Sequence, residues 1–209
     1  YNDLVWEDDF NTDGAPDATN WTYDLGAGGW GNGEAQTYTN SAENVKVEGG
    51  SLKIIAKADG SGGYTSARLK SEGLKEFTFG RYEIRAKLPA SQGTWPAIWM
   101  LGANNPTVSW PAAGEIDIME QKGGDKNTVL STIHYPGNFA GGAPTQGIEL
   151  TTSTTEFHNY TVEWSAAEIK FAIDDEVYHT LPNDATLPFN ADFFFILNVA
   201  MGGTLGGTI

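Results

Sequence analysis

The sequence predicts an all-β domain, a sandwich or barrel of many short strands. Three observations carry that reading. Apolar residues recur with a period of two, and a period of 3.6 is nearly absent. Gly- and Pro-rich stretches at 26–33, 59–63, 102–114 and 136–147 punctuate the alternating segments. No linker, internal repeat or low-complexity tail breaks the 209 residues, so 1–209 reads as one domain.

The strands follow in order. Val45 and Val47, then Leu52, Ile54 and Ala56, alternate on either side of Gly49-Gly50, which reads as a hairpin turn. From Arg81 to Leu88 the even positions are apolar and the odd ones charged, so one face is buried and one is wet. Tyr160, Val162 and Trp164 alternate with polar partners. Ile169, Phe171 and Ile173 run into Asp174-Asp175, then Val177 and Tyr178, a second hairpin. Phe193 to Val199 is almost continuously apolar, as a central strand covered on both faces would be.

Composition removes several function classes. Twelve Lys and Arg against 27 Asp and Glu give a formal charge of -15. A nucleic-acid surface needs clustered cations, so that partner is not expected. Without cysteine there is no disulfide scaffold and no Cys-based zinc or redox site. No run of 18 apolar residues offers a membrane span. Tyr1-Asn2-Asp3 lacks the basic and apolar regions of a signal peptide, so an exported chain would be in its mature form.

Gly114-Glu115-Ile116-Asp117-Ile118-Met119-Glu120 is the most informative segment. Ile116 and Ile118 point one way, into the core, which leaves Glu115 and Asp117 on the opposite face. Acidic residues are disfavoured in strands, and like charges on one face repel. Glu120 lies five residues from Glu115, an odd offset that puts it on the wrong face of a regular strand. A β-bulge absorbing Met119 restores it, and bulges recur beside active sites. Four effective steps of about 3.3 Å then separate the two Cα atoms by roughly 13 Å. With both side chains leaning inward, the carboxyl groups approach to roughly 5–6 Å, near the spacing of a retaining glycosidase. Asp117 between them would raise the cost of ionising both neighbours. A solvated acidic face or a calcium site is the plainer alternative.

Tryptophan flanks this strand. Trp95 and Trp99 fall on one face of the segment 94–101, and Trp110-Pro111 comes five residues before Glu115. An indole is a flat apolar platform with a polar N–H edge, suited to a sugar ring. Burial in the core is the alternative for each. Trp6, Trp21 and Trp164 read as core, and Trp30 is undecided.

These segments resemble family 16 glycoside hydrolases of the laminarinase type, which cut β-1,3-glucan and in some members mixed-linked β-1,3-1,4-glucan. The resemblance rests on 114–120 with Trp110-Pro111 before it. It also takes in Trp6-Glu7-Asp8-Asp9-Phe10, Gly29 to Glu34, Thr65 to Arg68, Phe79 to Glu83, Trp95 to Trp99, and Leu197 to Ala200. It implies a concanavalin A-like β-jelly-roll sandwich of two curved antiparallel sheets, with an open cleft on the concave face.

By motif match Glu115 is the nucleophile, Glu120 the acid and then the base, and Asp117 the group that tunes Glu115. His134 sits where the family often has a cleft histidine, with a satisfied sheet-edge histidine as the alternative. His158 and His179 are assigned to the surface. Asn32, Arg68, Trp95, Trp99 and Trp110 match positions that contact glucose units on the non-reducing side, although Arg68 also suits a surface ion pair. Trp30 and Asn198 are further candidates for the cleft lining.

Catalysis in this family needs no cofactor. A structural calcium ion is common on the convex face, and Glu7 and Gly50 match two of its ligands. The chain stops at Ile209, whereas the family normally continues to one more strand that carries the third ligand. A truncated chain is the simpler explanation, and the conformation expected of 202–207, normally a cleft-edge loop, is in doubt.

The resemblance therefore implies a monomeric, secreted or cell-surface enzyme acting on β-glucan. Two alternatives stand beside it. One is a non-catalytic glucan-binding jelly roll, which has no need of paired ionisable carboxylates. The other is a hydrolase of agar, carrageenan or xyloglucan; the sulfated substrates among these call for cations this chain has few of.

Overall fold

Alternating residues become strands wherever one side chain in two can be buried. In the computed structural model, which describes residues 3–209, seventeen strands follow one another. Tyr1 and Asn2, the start of the segment read for a signal peptide, lie outside the described residues. The first eight strands are short: β1 (Thr22–Asp24), β2 (Gln36–Tyr38), β3 (Val45–Val47), β4 (Leu52–Ile54), β5 (Lys57–Ala58), β6 (Tyr64–Ser66), β7 (Arg68–Lys70) and β8 (Glu76–Phe77). The longer ones are β9 (Gly80–Ala86), β10 (Thr94–Gly102), β11 (Glu115–Lys122), β12 (Asp125–His134), β13 (Thr145–Glu149), β14 (His158–Trp164), β15 (Glu168–Ile173), β16 (Glu176–Pro182) and β17 (Phe193–Met201). A single turn of helix, α1 (Gly203–Gly206), follows.

Two antiparallel sheets make the sandwich. The larger runs β1-β7-β17-β10-β11-β12-β13, with β8 paired to the start of β17, and the smaller runs β16-β15-β14-β9. Both expected hairpins form. Val45 pairs with Ile54 and Val47 with Leu52. Asp174 and Asp175 turn β15 into β16 with φ of 50° and 69°, left-handed values that Asp tolerates better than most residues. One pairing departs from the antiparallel expectation: β2 lies parallel to β6 in a small separate sheet with β5.

One apolar cluster joins the sheets. Leu69, Ile98, Met100, Ile116, Ile133, Phe193, Phe195 and Leu197 of the large sheet pack with Tyr160, Val162, Trp164, Ile169, Phe171 and Ile173 of the small one. Each such side chain contributes about 1.5–3 kcal/mol when removed from water. Trp6, Trp21 and Trp164 belong to this core, as expected.

All nine residues of β17 are buried, and the reason is visible. Its odd-numbered side chains face the core. Phe194 and Ile196 form a second cluster with Leu101, packed against Trp99 and Ala103 on the other face. That other face of the large sheet, turned away from the small sheet, carries the site.

Candidate active site

The bulge in β11 decides the site. Against β10, Leu101 faces Glu115, Trp99 faces Asp117, Ile98 faces Met119 and Ala97 faces Glu120, so Ile118 has no partner. Against β12, Glu115, Asp117 and Glu120 face His134, Thr132 and Leu130. Two residues, Ile118 and Met119, therefore span the width of one, Ser131. Both are buried to 1% in the core cluster. The bulge is shared by the pair rather than confined to Met119, and its result is the expected one: Glu115, Asp117 and Glu120 stand opposite alternate residues of β10, on one face.

Glycine opens the strand. Gly114 has φ +81°, and a Cβ there would lie 2.9 Å from Phe193 Cζ. No other residue lets the backbone pass this close to the core just before Glu115.

The three carboxylates are taken out of water. Glu115 and Asp117 are held well above their ordinary pKa values, first by burial, then by the charge of a neighbouring carboxylate. Burial also raises Glu120, while a hydrogen bond from Trp95 Nε1 to Glu120 Oε1, 2.9 Å long, opposes that rise. Burial and mutual repulsion among the three carboxyls favour a shared proton over full ionisation.

His134 supplies the compensating dipole. Its Nε2 is 3.1 Å from Asp117 Oδ2 and 3.6 Å from Glu115 Oε1. The Ala140 N–H donates to Nδ1 at 3.2 Å, which places the imidazole proton on Nε2, toward the carboxylates. Asp117 Oδ2 is buried and makes no aligned hydrogen bond, so His134 Nε2 meets it only as a close polar contact. In the strand pairing His134 stands directly across from Glu115.

The tryptophans divide between two places. Trp95 and Trp99 stand on β10 beside the carboxylates, with Trp99 Nε1 donating to Asn198 Oδ1 at 2.8 Å. The Arg68 guanidinium lies 4.7 Å from the Trp99 ring centre and 5.0 Å from that of Trp30. It lies over the rings of both indoles. Arg68 also pairs with Asp24 at 2.9 Å, so it is both an ion-pair residue and part of the floor.

Trp110 is elsewhere. It is 42% exposed and packs against His134 and Phe139, on the β12 side of β11. Asn32 lies at the rim, its amide on Glu34 and its carbonyl accepting from Thr204 N.

Two surface assignments are corrected. His158 is 7% exposed, held between Asp174 at 2.6 Å and Thr152 at 2.9 Å. His179 is half-buried, stacked on Phe171 and bonded to Ser131. Both face away from the carboxylates because the small sheet and its contacts with β12 need their polar edges satisfied.

Sequence reasoning passed over Glu34, Gln36 and Tyr38, which connect to Asn198 and so to the floor. Nothing local marks Gln36 or Tyr38 as cleft partners, because the bonds that join them to Asn198 and Met201 cross about 160 residues of chain.

Glu7 and Gly50 are both exposed. Among the described residues the His and acidic side chains close enough to share one ion are Glu115, Asp117 and His134, and Glu7 is not with them. Calcium takes six to eight oxygen ligands. Glu7 and Gly50 offer a carboxylate and a backbone carbonyl toward that number, and no chemistry is routed through a metal.

Comparison with known proteins agrees with this geometry. The profile for glycosyl hydrolases family 16 matches residues 32–207. The chain belongs to that family. It is 43% identical to a beta-glucanase of Rhodothermus marinus over 98% of this chain and 77% of the relative. The structure of the laminarinase from Rhodothermus marinus superposes with a TM-score of 0.92 at 42% identity, covering 98% of this chain and 88% of the other. LamA from Z. galactanivorans, solved with laminaritriose and laminaritetraose, superposes with a TM-score of 0.89 at 40% identity, covering 100% and 92%. This family 16 chain is a glycoside hydrolase with the jelly-roll fold of its neighbours. No helix among its described residues is long and apolar enough to cross a membrane.

Proposed function

We propose that this family 16 hydrolase cleaves β-1,3-glucan internally, with retention of anomeric configuration, and accepts mixed-linked glucan as a second substrate. The observation that carries the reading is the bulge that aligns Glu115, Asp117 and Glu120 beside Trp95 and Trp99. The likeness to laminarinases supports the choice of substrate. A polymeric substrate also supports an extracellular place of action.

Glu120, protonated because it is buried, gives its proton to the glycosidic oxygen as that bond breaks. A carboxylate oxygen of Glu115 attacks the anomeric carbon and forms a glycosyl ester. Glu115 must be ionised at that moment. Asp117 shares a hydrogen bond with it that keeps the proton on Glu115 at rest, and attack requires that proton to pass to Asp117. His134 Nε2–H faces the pair and offsets their negative charge. A water then gives its proton to Glu120 and attacks the ester, which releases Glu115. Two inversions leave the configuration retained.

The test is product analysis on laminarin and mixed-linked glucan. The reading expects shorter oligosaccharides with the β-anomer released first, and loss of hydrolysis with binding kept in Glu115→Ser. An inverted first product, or unchanged hydrolysis by the variant, would sink it.

A further inference from the structure

The floor of the cleft is held by a hydrogen-bond relay that begins outside it. Glu34 Oε2 accepts from Gln36 Nε2 at 2.6 Å and from the Tyr38 hydroxyl at 3.2 Å. Asn32 Nδ2 adds a third bond, to Oε1. The Tyr38 oxygen accepts in turn from Asn198 Nδ2 at 3.0 Å. Asn198 Oδ1 then accepts from Trp99 Nε1 at 2.8 Å. Gln36 ties the same carboxylate to the end of β17, its Oε1 accepting from Met201 N at 2.7 Å.

The direction of every bond is forced. An indole N–H only donates, so the Asn198 amide must turn its oxygen to Trp99 and its nitrogen to Tyr38. Tyr38 must then donate to Glu34, a carboxylate that only accepts when ionised. Tyr38 and Gln36 are 1% exposed and Asn198 8%, so a broken link leaves an unsatisfied buried group that water does not readily repair. The Trp99 indole is thus fixed at its edge by the relay and on one face by Arg68.

We propose that Tyr38 and Glu34 are positioning residues for substrate. Through Asn198 they set the plane of the Trp99 indole, against which a glucosyl unit stacks. This rests on the β-glucanase reading above. It adds that recognition depends on a tyrosine and a glutamate that do not themselves contact sugar.

The test compares wild type, Tyr38→Phe, Trp99→Phe and the double variant on laminaritetraose, with tryptophan emission recorded in the absence of substrate. Loss of one buried hydrogen bond is expected to raise KM about five-fold in Tyr38→Phe, with kcat changed less than about two-fold. Adding Tyr38→Phe to Trp99→Phe should then leave KM where Trp99→Phe alone puts it. The emission shift produced by Tyr38→Phe should likewise vanish in the Trp99→Phe background.

Glu34→Gln, which keeps an acceptor but removes the charge, should move KM the same way and less. It serves in place of Tyr38→Phe if that variant does not fold. Two results would overturn the proposal: a lower Tm with unchanged KM, or a KM rise that persists without Trp99. If wild type does not cleave laminaritetraose at all, the substrate reading fails, and the emission comparison alone decides the relay.

Discussion

The indole Nε1 of Trp95 donates to Glu120 Oε1 at 2.9 Å, across adjacent strands of the large sheet. One side chain thus stands beside the carboxylates and shifts the titration of Glu120. The bond favours ionised Glu120, against the stronger effect of burial. Trp95→Phe keeps an aromatic ring and removes the donor. Glu120 should then hold its proton to higher pH. The basic limb of the kcat profile on laminarin should move up, the direction opposite to that expected if Glu120 gained solvent.

His134 acts on the same cluster from the other side. Its imidazole lowers the pKa of both Glu115 and Glu120. In His134→Gln that influence is gone, and both carboxyls rise further. The acidic limb, where Glu115 must ionise, should move to higher pH, and kcat at pH 6 should fall by about ten-fold. A profile of unchanged shape and lower height would instead mean that His134 only fills space.

Buried carboxyls of raised pKa make stability depend on pH in a definite sense. Asp117 is 3% exposed and held well above its ordinary value. Such a group contributes its full stability below the unfolded pKa, and that contribution is lost as pH rises through the folded value. Asp117→Asn is neutral at every pH. At pH 8 it should melt about 2–4 °C above wild type, with the gap closing as pH falls toward about 4, while activity drops. Thermal scans at four pH values check this.

The bulge makes a prediction about length. Deleting Met119 turns 115–120 into a regular alternation with all three carboxylates still on one face. The deletion variant should keep measurable laminarin hydrolysis, above that of Glu120→Gln. It should lose about 2–5 kcal/mol of stability, because a buried core side chain goes. Inserting one alanine between Asp117 and Ile118 makes the opposite case: with the bulge kept, Glu120 turns to the core, and with it lost, Glu120 stands two residues too far along the strand, so activity disappears either way.

A last prediction concerns 202–207. The segment folds as α1 and docks beside the ends of β10 and β11. Gly123 N donates to Leu205 O at 2.9 Å, and Gly202 N to Gly93 O at 2.8 Å. A Cβ on Gly123 would lie 1.8 Å from Gly206 O. Gly123→Ala should therefore displace α1 and cost about 1–3 kcal/mol, read as a lower Tm.

Much of this was determined locally. Period-two alternation at 81–88, 160–164 and 169–173 needs no tertiary information, because the pleat itself sends neighbouring side chains to opposite faces. The continuous apolar run of β17 likewise announced a strand covered twice. The odd spacing of Glu115 and Glu120 demanded an extra residue in the strand. What the chain alone did not decide was which of Ile118 and Met119 would absorb it, because both are apolar and the core takes both. Nor did it place Trp110 against His134, seat His158 and His179 on buried partners, or join Glu34 and Tyr38 to Trp99. Those depend on which distant strands pair and on how the sheets stack against one another. Asn198 meets Tyr38 across 160 residues of chain, and only the pairing of β17 and the packing of β2 over its end bring them within a hydrogen bond.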